Sequence, residues 1–140
     1  MRTSLPAAAL VFALASLAQA QSTAMTYQGE LTINGVAASG PHDLRFRLFD
    51  AATGGIQLGA TQCADNVQVV GGRFIATVDF GQQFASPGAR FLEIQTRADT
   101  GLSCANATGF AVLTPRQPLT AAPLANHAKS AFALDAADGL

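Results

Sequence analysis

Cys63 and Cys104 are the only cysteines of this 140-residue chain, and their thiols are its most reactive groups. An even pair in an oxidising compartment points to one disulfide; two free thiols, or half of a metal site, are the rival states. A bridge would close a loop of about 40 residues, worth on the order of 4 kcal/mol through chain entropy. It would also leave no thiol nucleophile. Asp79 and Glu93 are the second candidates, because paired carboxylates about 5 to 9 Å apart serve glycoside hydrolysis. Both fall on the expected outer face of neighbouring strand-like segments. Arg73, Arg90 and Arg97 share that region, however, and surface ion pairs account for the same residues.

Other constellations are weaker. His42 precedes Asp43, but neighbours on an extended strand point to opposite faces and cannot form a dyad. His42 and the distant His127 both read as surface histidines. Ser22, Ser39, Ser86, Ser103 and Ser130 lie in neither a G-x-S-x-G elbow nor an S-x-x-K motif. The sequence shows no H-E-x-x-H, EF-hand loop, Cys/His cluster or phosphate-cradling glycine loop. No catalytic, cofactor-binding or metal-binding residue is therefore assigned, and no cofactor is expected. Asn106-Ala107-Thr108 matches the N-glycosylation sequon in a loop beside Cys104. With no Trp and one Tyr, sugar-stacking platforms have little to be built from.

The elements that must position these residues follow a two-residue period. Tyr27, Gly29, Leu31 and Ile33 alternate, and Asn34-Gly35 follows as a turn. Leu44, Phe46 and Leu48 alternate with Arg45 and Arg47. Phe74, Ala76, Val78 and Phe80 form a third row, and Leu92, Ile94 and Thr96 a fourth. Short strands between glycine turns predict an all-β fold, an antiparallel β-sandwich or partly open barrel of about seven strands. Phe49, Ile75 and Phe91 fall opposite the main core rows. Either a bulge buries them, or they form a second apolar patch covered by the C-terminal segment or another subunit.

The ends have their own character. Arg2, the apolar stretch Leu5–Leu17 and the small residues of Ala18-Gln19-Ala20 read as a signal peptide over 1–20, cleaved after Ala20. The apolar run is too short to span a membrane, so no membrane insertion is expected after cleavage. The β domain is expected over 21–114. Over 115–140, Pro115, Pro118 and Pro123 should carry the chain out of the sheet, with Leu113 and Leu119 still packed on the domain and Arg116 outward. A short helix from Thr120 would then present a stripe of Leu124, Ala128, Ala131 and Leu134 to another chain or a downstream domain. A formal net charge of −1 argues against nucleic acid as a partner. Charged residues make up only 12% of the chain, a surface that tolerates self-association.

The strings Y-Q-G-E-L-T-I-N-G (27–35), D-L-R-F-R-L-F-D-A (43–51), G-R-F-I-A-T-V-D-F-G (72–81), A-R-F-L-E-I (89–94) and L-T-P-R-Q-P-L-T (113–120) resemble a recurring N-terminal module of exported bacterial proteins. Some of those proteins carry a C-terminal tail-fibre-type chaperone domain. Leu124 stands where an aromatic residue is frequent in the module. The ending A-L-D-A-A-D-G-L (133–140) resembles the point where longer members continue. The resemblance transfers no catalytic residue and implies a β-rich structural or adhesive module. The expected function is thus a non-enzymatic exported structural, adhesive or assembly module, periplasmic, secreted or at the cell surface. A soluble ligand- or glycan-binding module is the alternative, and a hydrolase a remote one.

Overall fold

The computed structural model describes residues 22–120. The segment 1–20 expected to be a signal peptide and the expected terminal stripe of Leu124, Ala128, Ala131 and Leu134 lie outside these residues, as does His127. Among the described residues there are eight strands: β1 (Ala24–Glu30), β2 (Thr32–Ile33), β3 (Val36–Ala37), β4 (Gly40–Phe49), β5 (Gln57–Val69), β6 (Arg73–Asp79), β7 (Arg90–Ala98) and β8 (Ala111–Leu119). Every pairing is antiparallel. β1 pairs with β6, β2 with β3, and the remaining strands form a sheet of order β5-β4-β7-β8. Among the described residues the fold is all-β, and the sheets do not close into a barrel.

Alternation explains the layering. Phe74, Ala76 and Val78 of β6 face inward and are buried, while Arg73, Ile75, Thr77 and Asp79 face out. They meet Leu44, Phe46 and Leu48 of β4 and Leu92 and Ile94 of β7 in one core. Tyr27 of β1 packs edge-on against Phe46, with ring centroids 5.8 Å apart, so the two larger sheets pack face to face. Glycines make the corners. Asn34 and Gly35 both have positive φ in the β2–β3 hairpin, as an Asn-Gly turn favours. Gly71 and Gly72, also left-handed, carry the chain from β5 in one sheet to β6 in the other. Leu31 and Gly72 bond through their backbones there, and a Cβ on Gly72 would stand 3.1 Å from the Leu31 carbonyl oxygen.

The proline-rich stretch departs from expectation. It stays in the sheet: β8 runs from Ala111 to Leu119 and, among the described residues, pairs with β7 on one side only. An edge strand needs donors toward a single neighbour, so Pro115 and Pro118 are tolerated there. The strand also bulges. Leu92 pairs with Gln117 and Ile94 with Leu113, leaving Thr114, Pro115 and Arg116 opposite the single residue Glu93. The expected boundary between residues 114 and 115 thus falls inside a strand. Leu113 and Leu119 do pack against the core.

Candidate interaction site

The outward face of the four-stranded sheet gathers Asp43, Arg45, Arg47, Glu93, Arg97 and Arg116. β4 and β7 set its outward residues directly opposite one another: Asp43 to Arg97, Arg45 to Gln95, Arg47 to Glu93 and Phe49 to Phe91. Each cross-strand position therefore holds complementary or like-natured partners.

At one end Arg97 is almost wholly buried, its side chain 4% exposed and that of Asp43 0%. The pair meets at 2.9 Å. The rest of the guanidinium donates to the carbonyl oxygens of Leu102, Ser103, Asn106 and Thr108, at 2.8 to 3.1 Å. One side chain thereby holds the loop between β7 and β8 against the sheet. The same loop is bridged to β5 by the Cys63–Cys104 disulfide, with Cα atoms 5.7 Å apart. The Cys104 N–H also donates to Asp65. A register shift between β4 and β5 leaves Asp65 and Asn66 unpaired, with Asn66 left-handed and its N–H donated to Asp43. Burial pushes the Asp43 carboxyl up, but hydrogen bonds from Asn66, Arg97 and Asp65 and the Arg97 charge outweigh it and hold the group below the usual carboxylate range. Asp65 is pushed up, first by its hydrogen bond to Asp43 and then by desolvation.

At the other end Arg116 reaches across β7. It bonds Glu93 at 3.1 Å, donates to the carbonyl oxygens of Ala51 and Gly54, and lies 3.5 Å above the centre of the Phe49 ring. Arg47 takes the other Glu93 oxygen at 3.0 Å. Between the two ends Arg45 lies over Phe110.

This placement corrects several expectations. Phe49, Phe91 and Ile75 do not form one patch. Phe49 is buried by residues of its own outer face, chiefly Arg116 and Arg47, with Phe91 half-buried opposite it. Ile75 is 63% exposed on the outside of the other sheet. Asp79 and Glu93 likewise occupy outer faces of different sheets and point apart, so they cannot share a substrate bond. Asp79 is held below the usual carboxylate range by hydrogen bonds from Thr23 and the Gly81 N–H. His42 is buried rather than on the surface, with Nδ1 3.1 Å from the Gly40 carbonyl oxygen. Arg116 leaves the core as expected but is tied to Glu93 rather than free in water. The Asp43–Arg97 pair escaped sequence reasoning. Its signal was the antiparallel match of D-L-R-F-R-L-F (43–49) with F-L-E-I-Q-T-R (91–97).

A second feature lies between the sheets on the side away from the β5–β6 corner. There β1 and β8 stand as facing edges, with a cleft of about 300 Å³ between them. Tyr27, Phe74, Leu92, Ile94 and Leu113 supply its apolar lining; Glu30, Thr114 and Gln117 are among its polar residues. Desolvation pushes the Tyr27 hydroxyl pKa up. Among the described residues no group of His, Cys, Asp and Glu is arranged to hold a metal ion, and no helix is long and apolar enough to cross a membrane.

Residues 26–116 match the family described as a domain of unknown function, DUF8740. No curated protein and no solved structure matches the chain.

Proposed function

The chain belongs to the DUF8740 family, and from that premise we propose that it is a non-enzymatic, exported structural module serving adhesion or assembly in the envelope or the extracellular space. The observation that carries this reading is how the charged groups of the outward face are used. Asp43, Arg97, Glu93, Arg47 and Arg116 bond one another or backbone carbonyls. They hold loops against the sheet instead of converging on a reacting atom. Export is supported by the residue pattern of 1–20 and by a disulfide that an oxidising compartment would preserve. Partner contacts would fall on residues 121–140 or on the open side between β1 and β8, with no nucleic acid and no inserted membrane segment. The terminal helix and its stripe of Leu124, Ala128, Ala131 and Leu134 belong to this proposal.

Fractionation of the source cell with N-terminal sequencing tests it. The protein should leave the cytoplasm and begin at Gln21; a cytoplasmic chain starting at Met1 would overturn the reading. A soluble ligand- or glycan-binding role is the second reading, favoured by the cleft beside Tyr27, Glu30 and Gln117. Saturable binding on a glycan array, lost in Tyr27→Ala, would replace the first reading with it.

A further inference from the structure

Among the described residues β1 has a strand partner on one side only. Leu31 donates its N–H to Gly72, so by the two-residue period Met25, Tyr27 and Gly29 turn their amides toward β6. The amides of Thr26, Gln28 and Glu30 point the other way, and among the described residues no strand meets them. The side chains show the same incompleteness. The inward row Met25, Tyr27 and Gly29 is only half-buried, whereas the inward row of β6 is buried. Leu113 and Leu119, on the facing edge, are also half-buried. Half-buried residues, Tyr27 and Gly29 on one edge and Leu113 on the other, thus face each other across the cleft. β8 carries Pro115 and Pro118, which have no N–H to offer a new strand, while β1 contains no proline.

We propose that residues 124–130 of this same chain fill the cleft as a third strand of the β1–β6 sheet, running parallel to β1. The position of the chain's exit supports this occupant. Leu119 pairs with Arg90, and Arg90 donates to the Gln83 carbonyl just after β6, at the end of the molecule where Ala24 pairs with Asp79. The chain thus leaves β8 beside the start of β1. Ala121, Ala122 and Pro123, at about 3.3 Å each, cover the roughly 10 Å between packed sheets. Seven further residues match the seven of β1. One row of that segment is Leu124, Asn126, Ala128 and Ser130, a single large apolar residue followed by small ones, suited to a cleft of about 300 Å³. In this alignment Lys129, the chain's only lysine, arrives next to Glu30 at the far end of β1. The inference stands on the open edge of β1 and not on export or adhesion, so its failure leaves those untouched, and its success replaces the helix expected over 124–130 with a strand.

Two measurements on the unmodified chain from Gln21 to Leu140 test it. Residue-resolved hydrogen exchange should find Thr26, Gln28 and Glu30 protected like Tyr27 and Gly29. Fast exchange at those three beside slow neighbours would overturn the proposal. Carbodiimide cross-linking should join Lys129 to Glu30 within one chain. Links from Lys129 only to other carboxylates would overturn it. Links found only between chains, or protection that fades on dilution, would make the occupant a second copy and equally overturn it. Leu124→Asp should then speed exchange at Thr26, Gln28 and Glu30 by about tenfold or more while the β6-facing amides stay slow. Should that variant fail to fold, Ala128→Pro provides the same readout, and unchanged protection in the folded variant counts against the strand.

Discussion

Arg97 and Asp43 carry the greatest weight at the scale of single residues. Removing one partner of a buried ion pair leaves the other charge uncompensated, at a cost of about 3–5 kcal/mol. Arg97→Ala should therefore lose most of the domain's stability in urea unfolding, since it also abandons the carbonyls of the β7–β8 loop. Arg47→Ala should cost less than about 1 kcal/mol, because that side chain is 32% exposed and water replaces its partner. The same groups set the acid response. The folded pKa of Asp43 is depressed, so its stabilisation is complete above the unfolded carboxylate value, about 3.9, and is lost as pH falls through the lower folded value. The Asp65 pKa is raised, so its contribution has the opposite sign: present at low pH and lost as pH rises through the folded value. Asp65→Asn keeps an acceptor for Cys104 while removing the second carboxylate. Its melting temperature should exceed wild type at neutral pH, with the gap closing below about pH 4. A gap that is constant with pH would show that the two carboxyls do not share a proton.

β8 shows at the scale of the element how local chemistry and tertiary context combine. Proline content argued that the segment would leave the sheet, yet an edge position lets it remain. Arg116 is the last residue of the β8 bulge and anchors the strand through Glu93, two carbonyls of the 50s loop and the Phe49 ring. Arg116→Ala should cost about 2 kcal/mol, within the range for hydrogen bonds to charged groups. It should also expose Phe49, read as a rise in binding of an apolar dye. Phe49→Ala should be worse, about 3–5 kcal/mol, as for other buried phenylalanines. Ile75→Thr should stay within about 0.5 kcal/mol, because its side chain stands in water on the opposite sheet. Equal effects at Phe49 and Ile75 would show that both belong to one covered patch.

The disulfide acts at the scale of the whole molecule, because Cys63 and Cys104 are 41 residues apart in sequence. Its loop should contribute about 4 kcal/mol through the unfolded chain. Reduction should lower the melting temperature by about 10 °C or more in a domain of this size. The β1 edge should be largely indifferent to reduction, since the bridge lies on the far face of the other sheet. Hydrogen exchange in which reduction loosened β1 before the β7–β8 loop would contradict this division of the molecule.

Alternation and turn chemistry are local, which is why they were legible in the amino-acid sequence alone. The rows Leu44-Phe46-Leu48 and Phe74-Ala76-Val78, the Asn34-Gly35 and Gly71-Gly72 turns and the single cysteine pair led to an antiparallel β fold with one bridge. Each depends on spacing of a few residues or on a count. Which strands became neighbours depends on contacts distant in sequence, and only the tertiary structure decided that. Asp79 and Glu93 looked like companions until β6 and β7 entered different sheets. Phe49 and Ile75 looked alike until Arg116, more than 60 residues beyond Phe49, covered one of them. Asp43 became buried because Arg97 and the β7–β8 loop it holds close over that end of the outward face, whereas His42, on the opposite face of the same strand, is buried toward the inside. Period-two patterning states which face a side chain takes, but not what lies against that face. That information resides in strand register, and here register rests on partners such as Asp43 and Arg97 that meet only in the folded chain.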